Sequence, residues 1–112
     1  MTDCLFCRIV AGEIPATVVL ETPAVLAFRD ISPKAPVHVL VIPKEHYSDI
    51  VTLGAGDTAL AGELIAGVAA VAEKEGLLGD GFRVVFNTGE SVGQSVFHVH
   101  AHVLGGQTYG DL

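Results

Sequence analysis

Apolar positions along the chain follow two rhythms, and the change from one to the other marks out the elements. Residues 37–42 read Val-His-Val-Leu-Val-Ile, a nearly continuous apolar run stopped by Pro43, which predicts a strand buried on both faces. Residues 17–21 and 25–28 are shorter β-branched or aromatic runs separated by Thr22-Pro23-Ala24, the pattern of a hairpin. Residues 82–87 and 96–104 supply two further strands. Over residues 57–75 the period becomes helical: Leu60, Leu64, Val68 and Val71 share one face of an alanine-rich stretch, with Gly76 at its C-terminal end. A short helix is expected over residues 4–11, capped by Asp3 and ended by Gly12. Residues 30–36, with two prolines, and the polar residues 88–95 read as loops. Five strands with one long and one short helix, and no regular alternation, predict an α+β fold with an antiparallel sheet. At 112 residues, all of it (1–112) forms one domain.

Composition narrows the functional classes. Half of the residues are hydrophobic and 17% charged, a globular and not a disordered profile. Six basic against 13 acidic residues leave a net charge of −7, which repels a polyanion and argues against nucleic acid as partner. A single small nucleotide is compatible with that field, because local dipoles and imidazoles suffice for one phosphate. The N-terminal residues show no basic region followed by a long apolar run, and no stretch is long enough to span a bilayer. The expectation is therefore a cytoplasmic protein whose two cysteines are reduced thiols.

Candidate chemistry is concentrated in residues 98–104, His-Val-His-Ala-His-Val-Leu, where three of the five histidines occupy alternate positions. On a strand this spacing puts the imidazoles on one face and Val99, Ala101 and Val103 on the other. Such a file suits a metal site, or nucleophilic catalysis in which one imidazole attacks while its neighbours orient it and move protons. The spacing alone does not separate the two. Just upstream, Gly93-Gln94-Ser95 offers backbone N–H groups, an amide and a hydroxyl, and Asn87 offers another polar contact. A glycine-bearing turn beside a nucleophile suits phosphate oxygens, which points to phosphoryl or nucleotidyl transfer.

The file resembles the signature of the histidine-triad (HIT) family, His-φ-His-φ-His-φ-φ with φ apolar. The likeness extends to Gly12-Glu13-Ile14-Pro15, Phe28-Arg29-Asp30-Ile31-Ser32-Pro33, Ala35-Pro36-Val37-His38, Val41-Ile42-Pro43-Lys44-Glu45-His46 and Gly93-Gln94-Ser95-Val96. These are similar to the nucleotide-binding (Hint) branch, and the resemblance runs from about residue 3 to residue 106. It implies a HIT-like fold, a homodimer and hydrolysis of purine nucleoside phosphoramidates, typically an adenylate joined to an amine. It makes His100 the nucleophile that becomes nucleotidylated, with no cofactor needed for that step. His102 and His38 stand at the phosphate, and His98 supports the orientation of His100. Ser95 helps to protonate the leaving amine and binds a phosphate oxygen alongside backbone groups of Gln94, and Asn87 and Gly93 are counted with the nucleotide-binding residues. Asp30 holds the ribose hydroxyls, and Phe6, Ile9, Phe28 and Ile31 wall the base.

The chain departs from that branch after the triad. Residues 105–112 contain neither tryptophan nor proline, where the branch commonly carries both in a tail near the partner's active site. His102 in place of glutamine disfavours the hexose-1-phosphate uridylyltransferase relatives, and Gly105-Gly106 favours the Hint branch over dinucleoside polyphosphate hydrolases. Hydrolysis of dinucleoside polyphosphates, or a nucleotide- and zinc-binding interaction module with little turnover, are the alternative readings.

Cys4-Leu5-Phe6-Cys7 has the spacing of a zinc knuckle but needs a second pair of ligands. Two inert thiols packed in a small core are the plainer alternative. The resemblance supplies the missing pair as His46 and His98, giving a structural zinc site.

Overall fold

Thr22 closes the first hairpin, its hydroxyl accepting the N–H groups of Ala24 and Val25 at 3.3 and 3.0 Å. The strands on either side are β1 (Val18–Glu21) and β2 (Val25–Arg29), paired antiparallel. The computed structural model, which describes residues 3–112, continues with β3 (Val37–Pro43), β4 (Arg83–Val85) and β5 (Ala101–Gly105). They form one antiparallel sheet in the order β1-β2-β3-β5-β4, as expected of the α+β reading. Among the described residues three helices accompany it, α1 (Leu5–Val10), α2 (Ile50–Gly56) and α3 (Thr58–Lys74), with a single 3-10 turn at Glu90–Val92.

The continuous apolar run of β3 is explained by burial on both sides. Val39 and Val41 join Val25, Ala27, Val99, Ala101 and Val103 in the larger core beneath α3. Leu40 and Ile42 pack on the opposite face with Leu26, Phe28 and Phe6, the last delivered by α1. Helix α3 begins where Asp57 accepts the N–H of Leu60 at 2.9 Å, and it buries Leu60, Leu64, Val68 and Val71 as its period predicts. Gly67 lets it lie close, since a Cβ there would stand 2.9 Å from Val25 Cγ1. Among the described residues, no helix is long and apolar enough to cross a membrane.

Four details differ from the sequence expectation. The cap of α1 is Cys4 and not Asp3: its sulfur accepts the N–H of Cys7 at 3.3 Å. Helix α2 is additional, begun by a capping box between Asp49 and Thr52. The fourth strand spans only Arg83–Val85. The last strand starts at Ala101, because residues 96–100 find no ladder partner and Val99 N–H is bonded instead to the carbonyl of Tyr47 at 2.7 Å. Only His102 of the histidine file therefore lies within a regular strand.

Candidate functional site

A cleft of about 400 Å³ opens on the α1 side of the sheet. It is lined by Phe6, Ile9, Phe28, Asp30, Ile31, Ser95, His100 and His102, eight of the residues singled out in the sequence. Leu5, Ile14, Pro15, Ala16, Leu40 and Val96 complete the apolar wall, with Arg29 and Ser32 at its edge. Sequence reasoning missed these as cleft residues, although Ile14 and Pro15 belong to one of the segments that carried the resemblance. Ile31 is 99% exposed, an aliphatic side chain at the cleft with nothing of the chain covering it. A larger hollow of about 590 Å³ near Arg83 and Tyr109 contains none of the candidate residues.

The hydrogen-bond partners of the imidazoles assign their protons. His100 Nδ1 lies 2.8 Å from the carbonyl oxygen of His98 and must donate to it, so the lone pair of neutral His100 is on Nε2. His38 Nδ1 accepts the N–H of Lys34 at 3.0 Å, which leaves its proton on Nε2. That nitrogen is 2.9 Å from His102 Nδ1 and 3.4 Å from Asp30 Oδ2. His102 accepts at Nδ1 and carries its own proton on Nε2. The result is one imidazole with an open lone pair beside another with an N–H to give, their ring centres 5.0 Å apart. Phe6 stands edge-on to His100 with ring centres 5.1 Å apart, which restrains that ring from the α1 side.

Burial keeps this set neutral. His100 titrates below the ordinary histidine value, chiefly because it is desolvated, despite the opposing effects of the His98 carbonyl and Asp30. His102 is pushed down to about 4 by burial and by its neighbours His100 and His38. His38 is lowered by burial, partly offset by Asp30. His98 is lowered by the same cause, opposed by the Pro43 carbonyl.

Other candidates support the cleft lining or stand outside it. His38 is buried and acts on the cleft through His102. Asp30 is fixed in a turn, its Oδ1 accepting the N–H of Ser32 at 2.8 Å. Gln94 is buried, and its side chain is bonded to backbone groups of Gly89, Ser48 and Val96. Gly93, with φ of +108°, sits against Asn87, whose Nδ2 would lie 4.0 Å from a Cβ at that glycine. Asn87, Gly93, Gln94 and His98 do not line the cleft.

His98, which also packs against Phe6, belongs to a second cluster. Its Nε2–H donates to the Pro43 carbonyl at 2.8 Å, which leaves Nδ1 as a lone pair. That nitrogen is 3.4 Å from Cys4 Sγ, 3.5 Å from Cys7 Sγ and 3.2 Å from His46 Nδ1, and Cys7 Sγ is 3.3 Å from His46 Nδ1. Tetrahedral zinc with ordinary bond lengths separates its ligand atoms by about 3.3–3.8 Å, so the four donors fit a metal ion of that kind. Asp30, His38 and His102 also converge, but they do not fit one. A metal on His38 Nε2 would require a proton on Nδ1, which already accepts the Lys34 N–H.

Comparison with known proteins gives a consistent answer. The HIT domain model matches residues 11–109. A HIT-like protein of Synechococcus elongatus is 47% identical over 95% of this chain and 92% of its own length. The purine nucleoside phosphoramidase of Escherichia coli K12 is 39% identical, covering 98% of this chain and 92% of its own. Among solved structures, a HIT family hydrolase of Legionella pneumophila aligns with a TM-score of 0.90 at 47% identity, covering 95% of each chain. A HIT family hydrolase of Clostridium thermocellum aligns with a TM-score of 0.94 at 38% identity, over 100% of this chain and 97% of that one. With its three alternating histidines, its five-stranded sheet and this extent of similarity, the chain belongs to the HIT family.

Proposed function

We propose that the protein hydrolyses purine nucleoside phosphoramidates through a covalent nucleotidyl intermediate on His100. The observation that carries this reading is the pairing of tautomers in the cleft: His100 Nε2 holds a lone pair while His102 Nε2 holds a proton. In the first step His100 Nε2 attacks the α-phosphorus and the P–N bond breaks. The departing amine takes a proton with help from the Ser95 hydroxyl. His102 donates its N–H to a phosphate oxygen, and His38 holds His102 in that tautomer. Water then attacks the phosphorus and passes a proton to the Ser95 oxygen, replacing the one given to the amine; the P–Nε2 bond breaks, and the mononucleotide leaves. The purine rests between Phe6, Ile9, Phe28 and Ile31, with the ribose hydroxyls on Asp30. The phosphoramidase similarity of the Escherichia coli relative supports the same substrate class.

The cleft favours this class over dinucleoside polyphosphates. Among the described residues lining it, Arg29 is the one guanidinium or ammonium side chain, and it is held by Glu75 at 2.6 and 3.2 Å. A polyphosphate chain would find no unengaged cation there. Zinc is the metal we assign to Cys4, Cys7, His46 and His98, where it serves as a cross-link between α1 and the segment leading to His100. Reduced thiols at that site suit a cytoplasmic protein. The edge strand β4 and the outer face of α3, with Ile65 exposed, are the surfaces we assign to a homodimer.

A fluorogenic adenylate phosphoramidate tests the activity directly. Turnover that is lost in His100→Ala, together with a nucleotidyl adduct mapped to His100 by mass spectrometry, is the expected result. Nucleotide binding without turnover of any phosphoramidate would instead make the protein a binding module.

A further inference from the structure

Gln94 is a buried residue in an exposed loop. It is 2% exposed, while Gly93 and Ser95 on either side face solvent. Its side chain makes three hydrogen bonds, all to backbone. Oε1 accepts the Gly89 N–H at 2.9 Å, and Nε2 donates to the carbonyls of Ser48 at 2.7 Å and Val96 at 3.2 Å. Its own N–H returns to the Gly89 carbonyl at 3.1 Å, so residues 89 and 94 are gripped twice.

Both amide hydrogens of Gln94 are thereby spent, and its side chain has no donor left for a phosphate. What it encloses is Ser95. The bond from Nε2 to the Val96 carbonyl closes a small ring around Ser95, and the bond to Ser48 ties that ring to the approach to α2. The adjacent Tyr47 accepts the N–H of Val99 at 2.7 Å. Residues 47–48 thus anchor both ends of the stretch from residue 94 to residue 99 that leads into His100.

We propose that Gln94 is the positioning residue for Ser95, fixing that hydroxyl at the cleft for protonation of the leaving amine. The proposal rests on the phosphoramidase reading for its chemical consequence, and on the backbone geometry alone for its structural one. A serine that serves the leaving group matters most when that group is a strongly basic amine, which cannot leave unprotonated. A loop that merely supports the fold has no such selectivity.

Gln94→Met keeps the length and removes all three bonds; Gln94→Glu keeps the acceptor and removes both donors. Each is compared with Ser95→Ala on two adenylate phosphoramidates, one of an alkylamine and one of a weakly basic arylamine. The expected result is a kcat on the alkylamine substrate lowered about tenfold or more beyond any loss on the arylamine one, with KM changed much less. Adding Gln94→Met to Ser95→Ala is expected to cost no further selectivity, because both changes act on one group. Equal losses on both substrates, or wild-type rates in both variants, overturn the proposal. Should the wild-type protein cleave neither substrate, the phosphoramidase reading fails first. Amide hydrogen exchange then decides the positioning role: exchange in Gln94→Met that is faster than in the wild type at residues 95–97 but not in β3 supports it, and exchange unchanged from the wild type overturns it. If Gln94→Met does not fold, Gln94→Glu carries the same readouts.

Discussion

His100 Nδ1 donates to the carbonyl oxygen of His98 at 2.8 Å, so the orientation of the His100 ring is set by the backbone of the residue two positions before it. His98 is itself held, at the same distance, by the carbonyl of Pro43. The imidazole ring of His100 cannot turn without giving up a buried hydrogen bond, and Nε2 remains directed away from the backbone.

From this follows a sharp separation of binding from chemistry. His100→Ala is expected to lower kcat on the order of 10³-fold or more, as removal of an attacking group does, while the affinity for a mononucleotide changes only a few-fold. Stopped-flow or steady-state rates beside calorimetric titration with AMP check it. A variant that keeps more than a tenth of the activity contradicts nucleophilic attack by His100.

His38 and His102 make the protein sensitive to acid. Both titrate below the unfolded histidine value of about 6.5, His102 at about 4. As pH falls, the unfolded chain therefore takes up these protons before the folded one. The stability they contribute is complete above about pH 6.5 and declines as pH drops toward 4, by up to about 1.4 kcal/mol per pH unit for one such group. Denaturant unfolding of the wild type and of His102→Gln between pH 7 and pH 5 should show a shallower decline in the variant. Identical slopes would remove His102 from this account.

Much of the fold was legible because its signals are local. The alternation around the histidine file correctly placed Val99, Ala101 and Val103 in the core beneath α3, and Asp57 caps α3 through the side chain that the residue type suggests. Helix α2 was overlooked because Gly54 and Gly56 interrupt it and only Leu53 is buried, although Asp49 and Thr52 carry a capping signature. The length of the last strand depends on a distant event, the capture of Val99 N–H by Tyr47, which no pattern within residues 96–104 encodes. The cleft-lining set was reached through the resemblance more than through pattern. Asp30 taken alone is an ordinary loop carboxylate until the fold brings His38 beside it. The sequence offers the Gln94 side-chain amide without saying where it goes, and only the three-dimensional arrangement shows it consumed by the backbone.

Asp30 offers a test of sugar recognition. Its Oδ1 is held by the Ser32 N–H, which fixes the carboxylate at the cleft with acceptor capacity left for two ribose hydroxyls. Asp30→Ala is expected to weaken AMP binding by about 10–100-fold, the range for hydrogen bonds to a charged group. The loss should be small for 2′,3′-dideoxy-AMP, which lacks the hydroxyls. Equal losses for both nucleotides would show that Asp30 acts on the pocket in some other way, for example through His38.

The cluster of Cys4, Cys7, His46 and His98 yields a prediction in which stability and binding move together. Protein purified without chelator is expected to carry about one zinc per chain, and its removal to lower Tm. It should also weaken nucleotide binding, because α1 carries Cys7 together with the cleft residues Leu5, Phe6 and Ile9. Cys4→Ser separates the metal from the helix cap. Serine is a good N-cap whose hydroxyl can accept the N–H now bonded to the Cys4 sulfur, so the variant loses a metal ligand while the start of α1 stays satisfied. Its Tm and AMP affinity should match those of the chelated wild type, and adding zinc should restore the wild type alone. A wild-type protein whose Tm and nucleotide affinity do not respond to chelation or to added zinc would leave Cys4, Cys7, His46 and His98 as a hydrogen-bonded cluster and no more.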